Sequence, residues 1–539
     1  MRIRDLAKVL SHFLFIFTLL LIIPILVALY YEFFTSTSLH PPYIGTLAFV
    51  TTFGASLSLF IFFRYIGRRS KGELFRRESL LLVPLVWVIT SILSALPFLI
   101  SNTIENPIDA FFESVSGLTT TGSSVIYPKA FDQKTGEEIP VQLTTYKGDK
   151  VYYFKGTVTP IVHPETKEIL FEGLSAVNPP ILFWRSFLQW IGGLGVIFLF
   201  IAVFPALAIG GKFLYEAEIT GPFKEAITPR IKETASNLWK IYLGLTILEI
   251  LSLRVFNHDM PFFDALTITF SNISTGGFSI KAASIGAYNS PATEWIVLLF
   301  MILGAINFGL YFFCIKGKIY KLYEPEFFLF LVILILGSLF VTTSLIDFQA
   351  LTHWTDKIRA GSFQFVSSIT CTGFFTKNYD LWPFSAQSFM LLAMFIGGMS
   401  GSTAGGIKIV RHLIIFRAVK NKIESLFRPE AVQTLVIGKK EVSQSSLANV
   451  FVFFWVIIAL SAFGTLILIL DGIDPKTAFG LITCSINNVG LSFSAAGPSG
   501  TCAILPLISK VVMIIWMLFG RLEFFALLVL FSPSFWRSN

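Results

Sequence analysis

Charge is scarce in this chain. Asp, Glu, Lys and Arg make up only 14% of its 539 residues, against about 25% in soluble domains. That shortage excludes an ordinary soluble protein, and a hydrophobic content of 54% excludes intrinsic disorder. Cysteine is equally sparse. Cys314, Cys371, Cys484 and Cys502 form no CxxC pair, which excludes a disulfide framework and a thiolate metal site. The six histidines (His12, His40, His163, His258, His353 and His412) lack HExxH spacing and build no zinc site. With no His cluster or nucleophile–base set in the apolar runs, a membrane-embedded enzyme is excluded as well, and no cofactor site is expected on this chain.

Apolar length is what the chain has in excess, with 58 Phe and a mean hydropathy of +0.73. A bilayer core needs about 20 apolar residues per helix. Runs of that kind lie at about 10–31, 43–64, 79–100, 181–205, 237–256, 293–315, 326–346, 385–417, 446–470 and 504–532. The first is read as a retained helix rather than a signal peptide, because no small-x-small cleavage site follows it. With both termini inside, the inner segments carry 25 Lys and Arg and the outer ones 11, which sets the orientation. The net charge of +8 then faces the cytoplasm, toward anionic lipid or an acidic partner and not toward nucleic acid. The one long polar outer stretch, 125–178, alternates short apolar runs such as Val151-Tyr152-Tyr153-Phe154 with turn signals at Asp132–Gly136 and Lys147–Asp149. It is expected to form a small β-hairpin cap.

Between some of the long runs sit four shorter segments that align without gaps on Gly122, Gly277, Gly373 and Gly490. Three residues before each glycine stand Thr119, Ser274, Thr370 and Asn487, all short and polar. Four before stand the aliphatic Leu118, Ile273, Ile369 and Ile486. Six before stand the small Ser116, Ser271, Ser367 and Cys484, and twelve before stand Ala110, Ala265, Gly361 and Ala478. This is an internal repeat of helix, short re-entrant helix, glycine turn and helix. Irregular backbone at membrane depth is tolerated only where protein buries it or where it lines a water-filled cavity. Four such turns around one axis can replace the hydration shell of a cation with backbone carbonyls. Each re-entrant helix points its partly negative C-terminal end at that axis. The segments Thr119-Thr120-Thr121-Gly122, Ser274-Thr275-Gly276-Gly277, Thr370-Cys371-Thr372-Gly373 and Asn487-Asn488-Val489-Gly490 contain no carboxylate, which suits a large monovalent ion better than Ca²⁺.

The repeat resembles the Trk/Ktr/HKT superfamily of potassium transporters, and the two extra leading helices resemble its TrkH type. The likeness covers nearly the whole chain. It is carried by Gly117–Gly122, Trp190–Gly195, Asn307-Phe308-Gly309, Gly401–Lys408, Asn487–Gly490 and Gly520–Glu523. Three features depart from the family pattern: Ala404 where another glycine is frequent, Gly276 where Ala is frequent, and the long 125–178 insertion. The resemblance implies K⁺ as the transported ion, a homodimer in the plasma membrane (the inner membrane of a Gram-negative cell), and a cytosolic TrkA-type regulatory subunit that binds NAD or ATP. The basic segment 408–446, with a helix break expected at Arg428-Pro429-Glu430, suits docking of such a partner.

The reading is therefore an all-α polytopic membrane protein with ten transmembrane helices and four re-entrant pore helices. Its parts are two leading helices with a basic loop (1–78), pore repeats at 79–205 and 237–315, a third at 326–417 with a glycine-rich loop, and a fourth at 446–532. That loop, 397–406, holds Gly397, Gly398, Gly401, Gly405 and Gly406 beside Ser402. At about 1 kcal/mol per Gly relative to Ala it is expected to unwind into a gate. Its GxxxxG spacing is not a phosphate loop, since Ile407 displaces Lys408 and Ile409 is neither Ser nor Thr. Arg521 lies inside an apolar run and is expected to face the pore or the loop. Glu523 is expected to point elsewhere, and Lys408, counted with the gate, to sit with Arg411 at the inner boundary. Arg185 and Glu249 are read as structural. Two alternatives compete with K⁺ uptake: a Na⁺ or Na⁺/K⁺ symporter, disfavoured by Gly122 where Na⁺-preferring plant relatives carry Ser, and an H⁺-coupled carrier. An inverted-repeat transporter is disfavoured because all four repeats share one orientation.

Overall fold

The computed structural model describes residues 2–35, 45–70, 74–132, 137–145, 150–163, 169–195, 231–428, 434–438 and 440–537. The end of the 181–205 run, most of the two hairpin turns and the Pro429-Glu430 break lie outside the described residues. Among those described, five helices are long and apolar enough to cross a bilayer: Ile3–Phe34, Gly45–Gly67, Arg77–Ile100, Pro325–Ser344 and Gln444–Leu470. The first is interrupted at Leu21, because Pro24 has no N–H to give the Leu20 carbonyl. Ile231–Phe256 runs for 26 residues with Lys240, Glu249 and Arg254 along it. Leu26, Phe33, Leu336 and Trp455 all lie more than half exposed on outer helix faces, as side chains do when their solvent is lipid.

The second helix of each repeat is short. Pro179–Gly193, Pro291–Ala305, Phe384–Ile396 and Leu507–Arg521 all stop well before a full span. The expectation of continuous helices at 293–315 and 504–532 is thus corrected. Pro291–Ala305 and Phe308–Ile315 meet at 92°. Asn307 caps the second piece by accepting from the Gly309 N–H at 2.8 Å. In the fourth repeat Glu523 and Phe524 adopt positive φ (51° and 59°), and the Phe524 N–H bonds back to the Phe519 carbonyl at 3.1 Å, which ends the helix.

The four short helices are Pro107–Leu118, Phe262–Ile273, Trp354–Ile369 and Pro475–Asn487. Pro at the first turn and an Asx cap start the first and fourth, with Asn106 accepting from Ile108 N at 2.9 Å and Asp474 from Thr477 N at 3.0 Å. Their packing is cyclic. The second short helix lies on Pro179–Gly193, the third on Pro291–Ala305, the fourth on Phe384–Ile396, and the first on Leu507–Arg521. Each repeat therefore leans on the one before it and the fourth closes on the first. The apolar core divides accordingly. One cluster is built mainly from the leading helices with repeats one and four, and the other mainly from repeats two and three.

The 125–178 insertion forms three two-stranded antiparallel hairpins: Ala130–Phe131 with Glu138–Ile139, Val141–Thr144 with Val151–Phe154, and Ile161–Val162 with Ile169–Phe171. They lie on the same face as the start of the fourth short helix, where the Tyr152 hydroxyl donates to Asp474 Oδ2 at 2.8 Å. The opposite face gathers the chain ends, where Arg2 N donates to Glu78 Oε1 at 3.1 Å and Arg77 Nη2 to the Arg537 carbonyl at 3.0 Å.

Candidate selectivity filter and gate

Each short helix ends within a turn of its anchor glycine, and the short polar column explains how. Thr119 and Thr370 hydroxyls bond back to the Val115 and Val366 carbonyls at 2.7 Å. Ser274 does the same to Phe270 at 2.7 Å, and Asn487 to Thr483 at 3.0 Å. These groups satisfy last-turn carbonyls that the helix leaves open. Two columns on, the Ser116 and Ser367 hydroxyls donate across the turn to the carbonyls of Ser123 and Phe374 at 2.6 and 2.7 Å. Sequence reasoning found these columns without finding their work.

The residue two before each glycine is left-handed in all four segments: Thr120 at φ 56°, Thr275 at 52°, Cys371 at 57° and Asn488 at 51°. The glycines follow at φ 87°, 76°, 94° and 78°. Such geometry costs an L residue about 1–2 kcal/mol, and nothing in Thr or Cys announces it. The four glycines form a closed ring. A Cβ on Gly122 would strike the Gly276 carbonyl oxygen, one on Gly277 that of Thr372, one on Gly373 that of Val489, and one on Gly490 would come within 2.5 Å of that of Thr121. Each glycine thus lies against the carbonyl preceding the next segment's glycine, in cyclic order. The side chain of Gln189 braces the second segment, donating to the Gly276 carbonyl at 2.7 Å and accepting from Phe278 N at 3.0 Å. A Cβ at Gly276 would lie 2.5 Å from the Gln189 carboxamide carbon, which accounts for glycine at that position.

Beyond the ring on the hairpin side lies a cavity of about 120 Å³, touched by all four glycines. On the other side a cavity of about 20 Å³ lies between Gly405, Gly406, Lys408, Asn488 and Arg521, room for about one water. The segment 397–408 fills that side as unwound chain, with Gly397, Gly401, Gly406 and Lys408 all at φ between 73° and 80°. It is tied to the second and fourth repeats. Met399 N bonds the Ala305 carbonyl at 3.0 Å, and Gly406 N bonds the Asn487 carbonyl at 3.1 Å. Thr403 Oγ1 lies 3.0 Å from both the Ile273 and the Gly304 carbonyl oxygens, which share its one proton. Gly398 and Gly405 are held close by Ala404 and the Asn487 carbonyl, and Ser402 Oγ donates to the Met399 carbonyl at 2.6 Å. Glu326 supplies a carboxylate that sequence reasoning missed, accepting from Ser400 N at 2.7 Å. Its only signal was an acidic residue at the start of an apolar helix.

This geometry sits on a chain whose residues 166–538 match the family model described as TrkH, cation transport protein. The chain belongs to the TrkH family. Among curated relatives, it is 34% identical over 545 residues to the Trk system potassium uptake protein TrkH of Salmonella typhimurium, with all of both chains covered. It is 33% identical over 541 residues to that of Escherichia coli K12, again over all of both chains. Among solved structures, it superposes on the potassium transporter TrkH from Vibrio parahaemolyticus with a TM-score of 0.79, 33% identity and full coverage of both chains.

In this TrkH-family chain Arg521 does reach the 397–408 segment, through Nη1 to the Thr403 carbonyl at 3.5 Å. Its shorter bonds cross to the first repeat, from Nη2 to the Gly192 carbonyl and to that of Gly193 at 2.6 Å. One expectation is corrected. Glu523 does not point away: the helix ends at Arg521, so Glu523 turns into the same cavity and pairs with Arg411 at 2.7 Å. Lys408 and Arg411, expected at the inner boundary, are packed inside protein. Both are buried, Lys408 Nζ donating to the Ala404 carbonyl and Arg411 Nη1 to that of Ile407 at 2.9 Å. Glu249 is buried on Asn272 Nδ2 at 2.6 Å, in keeping with a structural role.

Proposed function

We propose that this chain takes up potassium across the plasma membrane through one pore per subunit. The ring formed by the Thr119–Gly122, Ser274–Gly277, Thr370–Gly373 and Asn487–Gly490 segments is its selectivity filter. The observation that carries the reading is the cyclic fit of each anchor glycine against the next segment's carbonyl. It leaves backbone oxygens, and no carboxylate, to replace a cation's hydration shell. The relatives named for potassium uptake support K⁺ as the ion, and Gly122 disfavours the Na⁺ alternative.

The 397–408 segment is the gate. Gly397, Gly398, Gly401, Ser402, Gly405, Gly406 and Lys408 form its body, and Arg521 holds it shut from the fourth repeat. The chain spans the membrane with its hairpins outside and both termini in the cytoplasm, forms a homodimer, and opens under control of a cytosolic NAD- or ATP-binding subunit. The domain divisions at 79–205, 237–315, 326–417 and 446–532 follow the four pore repeats. The test is ⁸⁶Rb⁺ uptake into liposomes holding the purified chain, with and without the regulator, under Na⁺ competition and with the pH gradient set or abolished. Uptake that follows the Rb⁺ gradient and resists Na⁺ supports the reading. Uptake that requires a proton or Na⁺ gradient replaces it with a coupled carrier.

A further inference from the structure

Arg185 sits beside the filter with a set of partners that a bystander would not need. Its side chain is 2% exposed, and Nε bonds Oε1 of the fully buried Glu113 at 2.8 Å. Nη1 donates to the Ser279 carbonyl at 3.1 Å and Nη2 to Ser124 Oγ at 3.2 Å. The guanidinium carbon lies 4.1 Å from the Phe278 ring centroid. Glu113 is itself fixed, accepting from Ser124 Oγ at 3.0 Å and from Val125 N at 3.0 Å. Ser124 and Ser279 each stand two residues past a filter glycine, Gly122 and Gly277.

The same position is tied in the other segments, but by neutral groups. Phe375, two past Gly373, exchanges bonds with Ser284 Oγ and Gly286 N at 3.3 Å each. The carbonyl of Ser492, two past Gly490, takes the Tyr379 hydroxyl at 2.7 Å. The Ser124 carbonyl takes Cys502 N at 3.1 Å. Among the described residues, the position two past the glycine is tied by an ion pair only between segments one and two. The planar fork of Arg suits it, offering separate donors to a carboxylate, a carbonyl and a hydroxyl on different loops. A lone buried guanidinium is costly, so the joint holds only while Glu113 is paired with it.

We propose that Arg185, anchored by Glu113, is a positioning residue that fixes the spacing of the first and second filter segments and so contributes to ion discrimination. This rests on the filter reading above. Because Arg185 also lines the wide cavity, breaking the pair leaves a net charge at the mouth whose sign depends on which partner is lost.

The test is ⁸⁶Rb⁺ uptake against competing Na⁺ at low ionic strength, in cells expressing R185Q, E113Q, R185K, the R185Q/E113Q double variant and G122S, each normalised to protein in the membrane. R185Q and E113Q are both expected to lose roughly tenfold in Rb⁺ over Na⁺ preference. Their apparent KM values should move apart, R185Q lower and E113Q higher, each by up to roughly tenfold for a unit charge about 10 Å from the entering ion. The double variant should recover the KM and not the selectivity, and R185K should keep the KM while losing part of the selectivity. If R185Q does not accumulate, E113Q and R185K carry the same contrast. Selectivity within twofold of the parent in these variants overturns the proposal, as does a KM that moves the same way in R185Q and E113Q. G122S separates the two levels: if it too leaves selectivity intact, the filter reading has failed rather than the role of Arg185.

Discussion

Adding one methyl group at Gly490 should damage selectivity more than any comparable change outside the ring. A Cβ there would lie 2.5 Å from the Thr121 carbonyl oxygen and 3.2 Å from the Gly122 Cα and carbonyl carbon. Non-bonded heavy atoms settle at about 3.5–4.0 Å, so one backbone must move by roughly 1 Å. Neither side yields easily. Thr121 is held through Oγ1 by Asn488 Nδ2 at 2.9 Å and by Thr119 at 2.8 Å. Gly490 sits at φ 78°, where an alanine costs about 1–2 kcal/mol before any clash is counted. The strain is relieved by displacing a carbonyl of the proposed filter. If only about 1.4 kcal/mol of the difference between K⁺ and Na⁺ is lost, discrimination falls tenfold. The assay is ⁸⁶Rb⁺ uptake with graded Na⁺ competition in cells lacking other potassium uptake. Gly244→Ala is the control, since a Cβ there meets nothing within 4 Å. The expected result is a Na⁺ competition curve shifted by tenfold or more for G490A and unmoved for G244A. Equal curves at equal membrane abundance would refute the steric argument.

The proposed gate gives three further expectations. Arg521→Ala removes the bonds to Gly192, Gly193 and Thr403, so Rb⁺ leak without the regulator should rise several-fold; a flux identical to the parent would make the residue structural only. Thr403→Val leaves the Ile273 carbonyl without its hydroxyl donor, while that of Gly304 keeps the backbone N–H of residue 403 at 3.3 Å. At about 1–3 kcal/mol for an unpaired buried group, basal leak should rise roughly 5- to 150-fold, and an unchanged basal rate in liposomes would count against the closed arrangement. Asn488 donates both to Thr121 Oγ1 and, at 3.0 Å, to the Met517 carbonyl on the helix that ends at Arg521. Asn488→Leu should therefore change leak and selectivity together, and a double-mutant cycle with R521A should be non-additive by more than about 0.5 kcal/mol.

Much of this was legible in the sequence because the repeat is written in residue types. Four glycines in register mark a backbone constraint that any substitution would violate, and the cyclic ring is that constraint in space. The unwinding of 397–406 followed from glycine content alone. What escaped has a common cause. Left-handed Thr120, Thr275 and Cys371 are imposed by the surrounding helices against local preference, so no propensity reveals them. The breaks at Asn307 and Glu523 depend on partners in other repeats, such as Met399 N on the Ala305 carbonyl, which no single window contains. Arg185 looked like a helix-end charge until Glu113, 72 residues away in sequence, was found against it. Glu523 was misplaced because two residues along a helix means a different face, and the helix does not continue that far.

The most direct test of the central claim is an experimental structure of the chain in Rb⁺ or Tl⁺, with anomalous scattering used to locate the ion. The account predicts a peak on the axis of the ring formed by Gly122, Gly277, Gly373 and Gly490, within coordination distance of carbonyls from all four segments, and weakened in G490A. Anomalous peaks elsewhere in the protein with none at that ring would contradict it.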